Sequence, residues 1–461
     1  HVQRELLLCA KLLKQDERNF HCWGYRNWVA RLAKRTAEEE LKFTTDKINS
    51  NFSNYSAWHY RSHFLPRVFQ SRELDSAGVL AELSQESELA HNAFFTDPED
   101  QSAWLYHRWV LAEGVQQSVR VGLRLWRRPN PTVALTFSSP VELLDASLTI
   151  EGSESHVATS PWQPVGLNSH IRPVAYVWMQ SLDASVVSSG AIIATVTRAL
   201  TADKRTLNPP TLRATWADEA GVGCSDIDTV VSNMTSQTQP DGSDTHSLEI
   251  AAELAVCEEL LEMEPDCKWA LLTQAHLTSR TVEIDPTNTT AVDKVDGILQ
   301  KVTASDPQRA NYYADLASSV RLEAAVGTLP QAADVSLVGH GLTCLRRGPL
   351  TRLVGADKLD LSDNRLRAVA ELDAVCSLTE LNLSGNCLRS LKGLSKLPLT
   401  RLSLANNGID NVAIFETLAG ASVASLDLTG NPIMEDPGLE GTLRRVLTGL
   451  KELNGQPFGS S

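Results

Sequence analysis

The sequence lacks the motifs that mark several large classes of protein. No run of about 18 or more apolar residues occurs, so no transmembrane helix is predicted, since a span needs about 20 such residues. No Cys-x-x-Cys pair is present, and no zinc ribbon is therefore predicted. The HExxH, GxSxG and GxxxxGK[ST] patterns of zinc proteases, serine hydrolases and P-loop proteins are also missing. The sequence therefore predicts no self-contained catalytic centre of these kinds.

Basic residues are too few for a protein that binds polyanions along its whole length. The chain has 42 Lys and Arg against 56 Asp and Glu, a formal net charge of −14, whereas nucleic-acid binders carry a basic surface. Its eight cysteines are scattered, which favours a reducing cytoplasm over a disulfide-bonded scaffold. The length predicts about three domains, and a start at His1 within a helical pattern indicates a fragment.

One short phrase occurs three times near the start of the chain, at 19–26, 54–61 and 100–108. In each copy an Asn or Asp precedes a Trp, and a Tyr and an Arg follow. The Trp-to-Trp spacings are 35 and 46 residues, a period typical of helical-hairpin arrays. We expect the Asn or Asp to cap a helix. The Trp should pack between hairpins, and the Arg should reach a carboxylate or carbonyl of the neighbouring repeat.

From about residue 118 the hydrophobic period changes to two. Apolar and polar residues alternate at 119–125 and 133–137, with Pro and Gly between such runs, which predicts an immunoglobulin-like β-sandwich. Residues 201–247 are rich in Thr, Ser, Asp, Gly and Pro and predict an edge strand and a flexible linker. Helical periodicity returns at 248–328. The sandwich is thus predicted to be inserted into one helical array.

The last part of the chain repeats the pattern L-x-L-x-x-N-x-L at intervals of 22, 21 and 24 residues, which predicts leucine-rich repeats. The apolar positions should fill the interior, and each Asn amide should bond to backbone groups of the turns. A fifth, earlier copy has His340 at the Asn position. The four full copies are Leu359/Leu361/Asn364/Leu366, Leu381/Leu383/Asn386/Leu388, Leu402/Leu404/Asn407/Ile409 and Leu426/Leu428/Asn431/Ile433.

The order of these parts resembles the α subunits of the Rab geranylgeranyltransferase (protein geranylgeranyltransferase type II) family. The closest segments are 16–23, 51–62 and 92–104. The resemblance implies a multidomain fold: an alpha-alpha helical-hairpin superhelix of prenyltransferase alpha repeats, an inserted immunoglobulin-like beta-sandwich and C-terminal leucine-rich repeats. The expected domains are 1–116 (helical repeats), 117–247 (sandwich and linker), 248–328 (helical repeats continued) and 329–461 (leucine-rich repeats).

The resemblance also implies a function. The chain would be the α subunit of a heterodimer that transfers geranylgeranyl from geranylgeranyl diphosphate to C-terminal cysteines of Rab GTPases, which an escort protein presents. Zinc and the lipid pocket would lie on the β subunit. Zinc lowers the pKa of the attacking thiol, and cationic side chains stabilise the leaving diphosphate. No cofactor and no metal are expected in this chain, and a cytoplasmic location is expected.

Related α subunits carry a Lys near the lipid diphosphate, just before the Asn-Tyr or Ser-Tyr of one repeat, and the nearest match here is Arg18, before Asn19. Arginine keeps the charge but differs from lysine in geometry. A solvated helix-end charge is the competing interpretation of Arg18. The residues expected at the β-subunit interface or the wall of the site are Asn19, Tyr25, Arg26, His59, Tyr60, Arg61, His63, Tyr106 and Arg108.

Three alternatives bear on this interpretation. His59 and His63, four apart on a predicted helix, form a pair that could bind a metal, but no third ligand follows at a suitable spacing. A non-catalytic scaffold that binds partners through its leucine-rich repeats is the competing function. A farnesyl-type α subunit is disfavoured, because that class resembles only the helical part.

Overall fold

The computed structural model divides the chain into two compact units. The first contains His1–Gln117 and Gln239–Leu277, and the second contains Ser118–Thr238 and Thr278–Ser461. The predicted domain boundary at 116–117 and more than half of the predicted linker at 201–247 lie outside the described residues. The structure describes residues 1–114, 119–126, 132–150, 161–165, 175–182, 192–201, 206–207, 211–214, 222–224, 229–231, 242–329 and 332–458.

Three helical hairpins begin the first unit. Their helices are α1 (Val2–Gln15), α2 (Phe20–Leu32), α3 (Ala37–Ser50), α4 (Tyr55–Ser71), α5 (Ser76–Thr96) and α6 (Gln101–Gly114). Helix α4 contacts α2 and α6 as well as its hairpin partner α3, so the second helices of the hairpins are neighbours. The side chains of Asn19 and Asn54 accept hydrogen bonds from Cys22 N (3.0 Å) and Ala57 N (3.1 Å), which are the predicted N-caps.

The three phrase tryptophans are buried in one hydrophobic core. Each indole Nε1 donates to the carbonyl six residues earlier, and this bond satisfies the polar atom of a ring that is otherwise apolar. The loop before each second helix is thereby held against its tryptophan. The bonds run from Trp23 to Glu17 (2.9 Å), from Trp58 to Phe52 (2.8 Å) and from Trp104 to Pro98 (3.0 Å).

The core of the first unit continues after the inserted sequence. Helix α7 (Gly242–Met263) contributes Leu260, and Cys267 and Ala270 follow in the same core. The thiol of Cys267 donates to the carbonyl of Pro98 (3.4 Å). The residues between α6 and α7 therefore interrupt one helical array, as the sequence predicts. No helix in the described ranges is long and apolar enough to cross a membrane.

Nine strands lie in the part of the inserted sequence that the structure describes, and they pair antiparallel in one connected sheet of the second unit. Strand β2 pairs with β1 and β4 through its first half and with β5 through its second half, and its register with β4 shifts between Thr136 and Val141. Leu123, Leu135 and Phe137 are fully buried, as the period of two predicts. The strands are β1 (Val119–Trp126), β2 (Thr132–Ile150), β3 (Gln163–Val165), β4 (Ala175–Ser181), β5 (Ile192–Thr201), β6 (Thr206–Leu207), β7 (Thr211–Ala214), β8 (Val222–Cys224) and β9 (Thr229–Val231).

Three helices lead along the chain into the repeat domain of the second unit. Helix α8 (Lys268–Ile284) starts in the first unit and ends in the second, and α9 (Thr289–Ser305) and α10 (Ala310–Thr328) follow. Leu322 and Val326 of α10 belong to the core of the repeats, and the hydroxyl of Ser318 donates to Cys344 O (2.9 Å). Helix α10 therefore covers the start of the repeat core, which a solenoid needs for its apolar end.

The leucine-rich repeats form a ladder of short parallel strands. Leu359, Leu381 and Leu402 are paired in register, so the predicted repeats are confirmed. The short helices α11 (Arg347–Leu350) and α12 (Leu439–Val446) lie between strands along the chain. The strands are β10 (Asp334–Ser336), β11 (Lys358–Asp360), β12 (Glu380–Asn382), β13 (Arg401–Ser403), β14 (Ser425–Asp427), β15 (Glu452–Leu453) and β16 (Gln456–Pro457), the last antiparallel to β15.

The repeat asparagines satisfy buried backbone groups. Asn386 donates to Leu361 O and Leu383 O (both 3.0 Å) and accepts from Leu366 N (2.9 Å). One amide thus bridges two successive repeats and satisfies their buried backbone groups. His340, at the Asn position of the fifth copy, is exposed.

Candidate functional site

A buried glutamate links the first two phrases of the helical array. Glu40 on α3 is fully buried and accepts two hydrogen bonds from Arg26 of α2, at 3.0 and 2.8 Å. The hydroxyl of Tyr60 on α4 donates to the same carboxylate (3.0 Å), and the Arg26 guanidinium lies 3.4 Å from the ring centre of Phe43. We call Arg26, Glu40 and Tyr60 the first glutamate cluster. Their polar ends are bonded to one another inside the array.

The second glutamate cluster repeats this arrangement one hairpin later. Arg61 on α4 donates twice to Glu86 on α5 (both 2.6 Å), and Tyr106 on α6 donates to the same carboxylate (2.6 Å). All three side chains are buried. The two clusters together fasten α2 to α3, α3 to α4, α4 to α5 and α5 to α6. Since bidentate Arg–carboxylate pairs fix geometry, the clusters hold successive helices at a defined spacing.

The sequence predicted that each phrase arginine reaches a carboxylate or carbonyl of the neighbouring repeat, as Arg26 and Arg61 do. It did not identify the glutamates, although a periodic signal marks them. Each glutamate lies 20 residues before the tyrosine that donates to it, for Glu40 and Glu86 alike. Glu5 and Tyr25 have the same spacing, and the Tyr25 hydroxyl donates to Glu5 (3.2 Å) at an exposed position. The acid is therefore part of the repeat, on the first helix of each hairpin.

The clusters make the array sensitive to high pH. Burial raises the pKa of Tyr106 well above its ordinary value, and the charge of Glu86 raises it further. An unfolded tyrosine loses its proton near pH 10, while folded Tyr106 keeps it. The stability that Tyr106 contributes is thus complete below about pH 10 and decreases as the pH rises.

We therefore expect Tyr106→Phe to weaken the alkaline loss of stability. Above about pH 10, the free energy of unfolding should fall with pH less steeply in the variant than in the parent. The two slopes should differ by about 1.4 kcal/mol per pH unit. Urea unfolding between about pH 9 and 11 measures this slope. Tyr312→Phe, which removes an exposed hydroxyl, is the matched control. Equal slopes for Tyr106→Phe and the parent would contradict the expectation.

Helices α2, α4 and α6 carry exposed rings and apolar side chains on corresponding positions. Phe20, Trp28 and Tyr55 are 70%, 57% and 47% exposed. Tyr55 stacks on His59 at 5.8 Å, and His59 meets His63 edge-on at 4.6 Å. Desolvation lowers the pKa of His59, and the charge of His63 lowers it further. The exposed stripe is the set Phe20, Trp28, Tyr55, His59, His63 and Leu105.

The residues singled out from the sequence fall into two groups. Arg26, Tyr60, Arg61 and Tyr106 are buried in the glutamate clusters. Arg108 is half-buried on α6. The others lie at or near the surface. Arg18 is exposed, and its backbone N–H donates to Asp16 Oδ1 (3.1 Å). Asn19, the cap of α2, is half-buried, and the remaining exposed residues are Tyr25, His59 and His63.

Comparison with known proteins matches both ends of the chain to repeat families. Residues 2–33, 37–68 and 83–113 match the protein prenyltransferase alpha subunit repeat, and 376–397 match a leucine-rich repeat. The chain is 35% identical over 470 residues to geranylgeranyl transferase type-2 subunit alpha of Sus scrofa, covering 98% of this chain and 77% of that protein. The protein of the same name from Homo sapiens is 35% identical over 463 residues, covering 96% and 76%. That of Saccharomyces cerevisiae is 42% identical over 118 residues, 24% of this chain and 36% of that protein.

The repeated hairpins and their matches define the chain as a prenyltransferase α subunit. It belongs to the family of geranylgeranyl transferase type-2 alpha subunits. The prediction of a transferase subunit is thus confirmed, and the alternative of a non-catalytic scaffold is not favoured.

Proposed function

We propose that this chain is the α subunit of a heterodimer that joins geranylgeranyl, from geranylgeranyl diphosphate, to C-terminal cysteines of Rab GTPases. The β subunit would carry the zinc and most of the lipid pocket, and a Rab escort protein would present the substrate. The observation that carries the proposal is the family match over 98% of the chain. The role of the α subunit is then to supply a rigid helical surface for the β subunit.

The exposed stripe is the part of this surface that we assign to the β subunit. Large aromatic residues are costly to leave in water and are enriched at the centres of protein interfaces. Trp28 and Tyr55 present such rings on neighbouring helices. The glutamate clusters lie inside the same helices and fix their spacing, so Arg26, Tyr60, Arg61 and Tyr106 would shape the interface from within. Tyr25, His59 and His63 would contact the partner directly.

Co-expression with a prenyltransferase β subunit tests this assignment. The parent chain should elute with the partner as a one-to-one complex and transfer labelled geranylgeranyl to a Rab protein in the presence of an escort protein. Trp28→Ala and Tyr55→Ala should each weaken the complex by more than about tenfold. Met263→Ala, which removes an apolar side chain exposed outside the stripe, is the control. Unchanged affinity in both stripe variants would reject the stripe, and a complex without transfer would reject the activity.

For Arg18 we propose a position near the lipid diphosphate. Support comes from its exposure on the loop that enters α2, next to Asn19 and Phe20. Arg18→Ala should raise KM for geranylgeranyl diphosphate in the assembled heterodimer, and Arg18→Lys should restore part of the loss because the charge remains. An unchanged KM in Arg18→Ala would leave Arg18 as a solvated charge.

We also propose a cytoplasmic location. Seven cysteines of the described residues are unpaired, which suits a reducing compartment.

We further propose an immunoglobulin-like sandwich at 117–247. The two halves of β2 pair with different neighbours, and Leu148 of its second half shares one buried cluster with Leu123 and Trp178. Two facing sheets in a crystal structure would support the sandwich, whereas an open single sheet would reject it.

A further inference from the structure

Three side chains of metal-binding type meet on successive helices of the first unit. His91 on α5, His107 on α6 and Glu253 on α7 point their ring nitrogens and carboxylate at one place, with all three ligand atoms within 4.8 Å of one another. The Nε2 atoms of His91 and His107 lie 3.0 and 2.9 Å from the same oxygen, Glu253 Oε2. We call these residues the third glutamate cluster.

The third cluster occupies the place in the repeat where the first two clusters hold an Arg and a Tyr. Arg61 and His107 both follow a phrase tryptophan by three residues, so His107 stands at the arginine position. Thr273 lies 20 residues after Glu253 and therefore stands at the tyrosine position. Its hydroxyl is buried and, among the described residues, has no hydrogen-bond partner. His91 supplies the second donor that the missing tyrosine would have given.

This substitution changes the charge balance of the cluster. In the first two clusters a guanidinium, which is always protonated, neutralises the glutamate. In the third cluster both donors are imidazoles, so no side chain of the cluster is a permanent cation. Glu253 is only 15% exposed, and a buried carboxylate needs a compensating cation. The cluster itself supplies none that is permanent.

We propose that His91, His107 and Glu253 bind one divalent transition-metal ion, such as Zn²⁺. Two imidazoles and one carboxylate are a known zinc-binding set, with water as the fourth ligand. Bonds of about 2.0–2.2 Å in a tetrahedron place ligand atoms about 3.4 Å apart, so the present N–O separations have to open by about 0.5 Å. His91 is 20% exposed, which gives water and the ion a path to the site. The ion would tie α5, α6 and α7 together where the inserted sequence interrupts the array.

Binding requires no loss of protons from neutral histidines. A neutral imidazole that now donates from Nε2 moves its proton to Nδ1, and Nε2 then gives its lone pair to the metal. Glu253 would bind through its carboxylate, whose Oε2 already faces the Nε2 atoms of both histidines. Cys257 is not counted as a ligand, because the ligand atoms that lie within 4.8 Å of one another are those of His91, His107 and Glu253.

Titration of the metal-free full chain with Co²⁺, followed by displacement with Zn²⁺, tests the site. The parent should bind one equivalent and develop the visible absorption of tetrahedral Co²⁺. Glu253→Gln and His91→Ala should each lower the affinity by more than about a hundredfold, since even outer partners of a metal site are worth about 10–100-fold. Zn²⁺ should raise the Tm of the parent and leave that of Glu253→Gln unchanged.

The matched control is the double variant His59→Ala/His63→Ala, which removes the exposed histidine pair. It should bind Co²⁺ as the parent does. Failure of the parent to bind one equivalent, survival of binding in Glu253→Gln, or its loss in the control would each overturn the proposal. If circular dichroism shows that a variant is unfolded, His91→Gln is tested in its place. None of these readouts depends on a partner subunit or on transferase activity, so the result is independent of the proposed function.

Discussion

Replacement of Arg61 by alanine is expected to lower the free energy of unfolding by about 3–5 kcal/mol. The guanidinium of Arg61 donates twice to Glu86 and also reaches Leu41 O (3.1 Å) and Thr45 Oγ1 (2.9 Å). Its loss leaves Glu86 as a buried charge without its cation, and that uncompensated charge accounts for most of the cost. Urea unfolding of the full chain, with the circular dichroism of the helices as the signal, measures the change in the free energy of unfolding.

Two further variants separate a buried ion pair from a surface one. Arg72→Ala removes an arginine that is 39% exposed and bonded to Glu38 and Glu82, and it should cost less than about 1 kcal/mol. The double variant Arg61→Met/Glu86→Leu removes both charges. Its cost in free energy of unfolding should be about 0.5–3 kcal/mol less than the sum of the costs of Arg61→Met and Glu86→Leu. Additive costs would show that Arg61 and Glu86 do not interact.

Replacement of Trp58 by alanine should also cost about 3–5 kcal/mol. Its side chain is 1% exposed, its Nε1 donates to Phe52 O (2.8 Å), and its ring lies 4.8 Å from that of Tyr106. The variant loses a large buried surface, leaves a cavity and frees the loop before α4. Thermal unfolding with and without the substitution measures the loss, and a Tm close to that of the parent would contradict the role of Trp58 as a core wedge.

Trp28→Ala is the matched control for Trp58→Ala, because Trp28 is 57% exposed on the neighbouring helix α2. Its loss should change the free energy of unfolding by no more than about 0.5 kcal/mol, as is usual at the surface. The same variant should weaken the complex with the β subunit. The two tryptophans thus separate stability from partner binding, and a large loss of stability in Trp28→Ala would place Trp28 in the core.

The phrases of the helical array and the repeats at the C-terminus could be predicted because their signals are local and periodic. The cap, the tryptophan and the carbonyl that it bonds lie within ten residues of one another, as Asn54, Trp58 and Phe52 show. In the leucine-rich repeats, the pattern of leucines fixes which side chains fill the interior, and the strands pair in that register. Caps, hydrogen bonds and apolar patterns formed by residues close in sequence do not depend on the details of the tertiary structure.

The glutamates show where sequence reasoning ends. Glu38, Glu39 and Glu40 are consecutive and have equal helix propensity and charge, yet Glu38 and Glu39 are exposed and Glu40 is fully buried. The orientation of α3 against α2 and α4 decides which of the three meets Arg26. Four residues predicted to lie at an interface or site wall, Arg26, Tyr60, Arg61 and Tyr106, have their polar atoms inside the array for the same reason.

The histidines show the same limit across a longer distance. The spacing of His59 and His63 indicated, from the sequence, a pair that could bind a metal, but both side chains are exposed. His107 and Glu253 are 146 residues apart and are in contact. The sequence by itself determined the kinds of repeat, their order and the interruption of the helical array, because these follow from short-range patterns of apolar residues and caps. Only the tertiary structure decided which acid meets which base, because the chain returns from the inserted sheet to the same helical core.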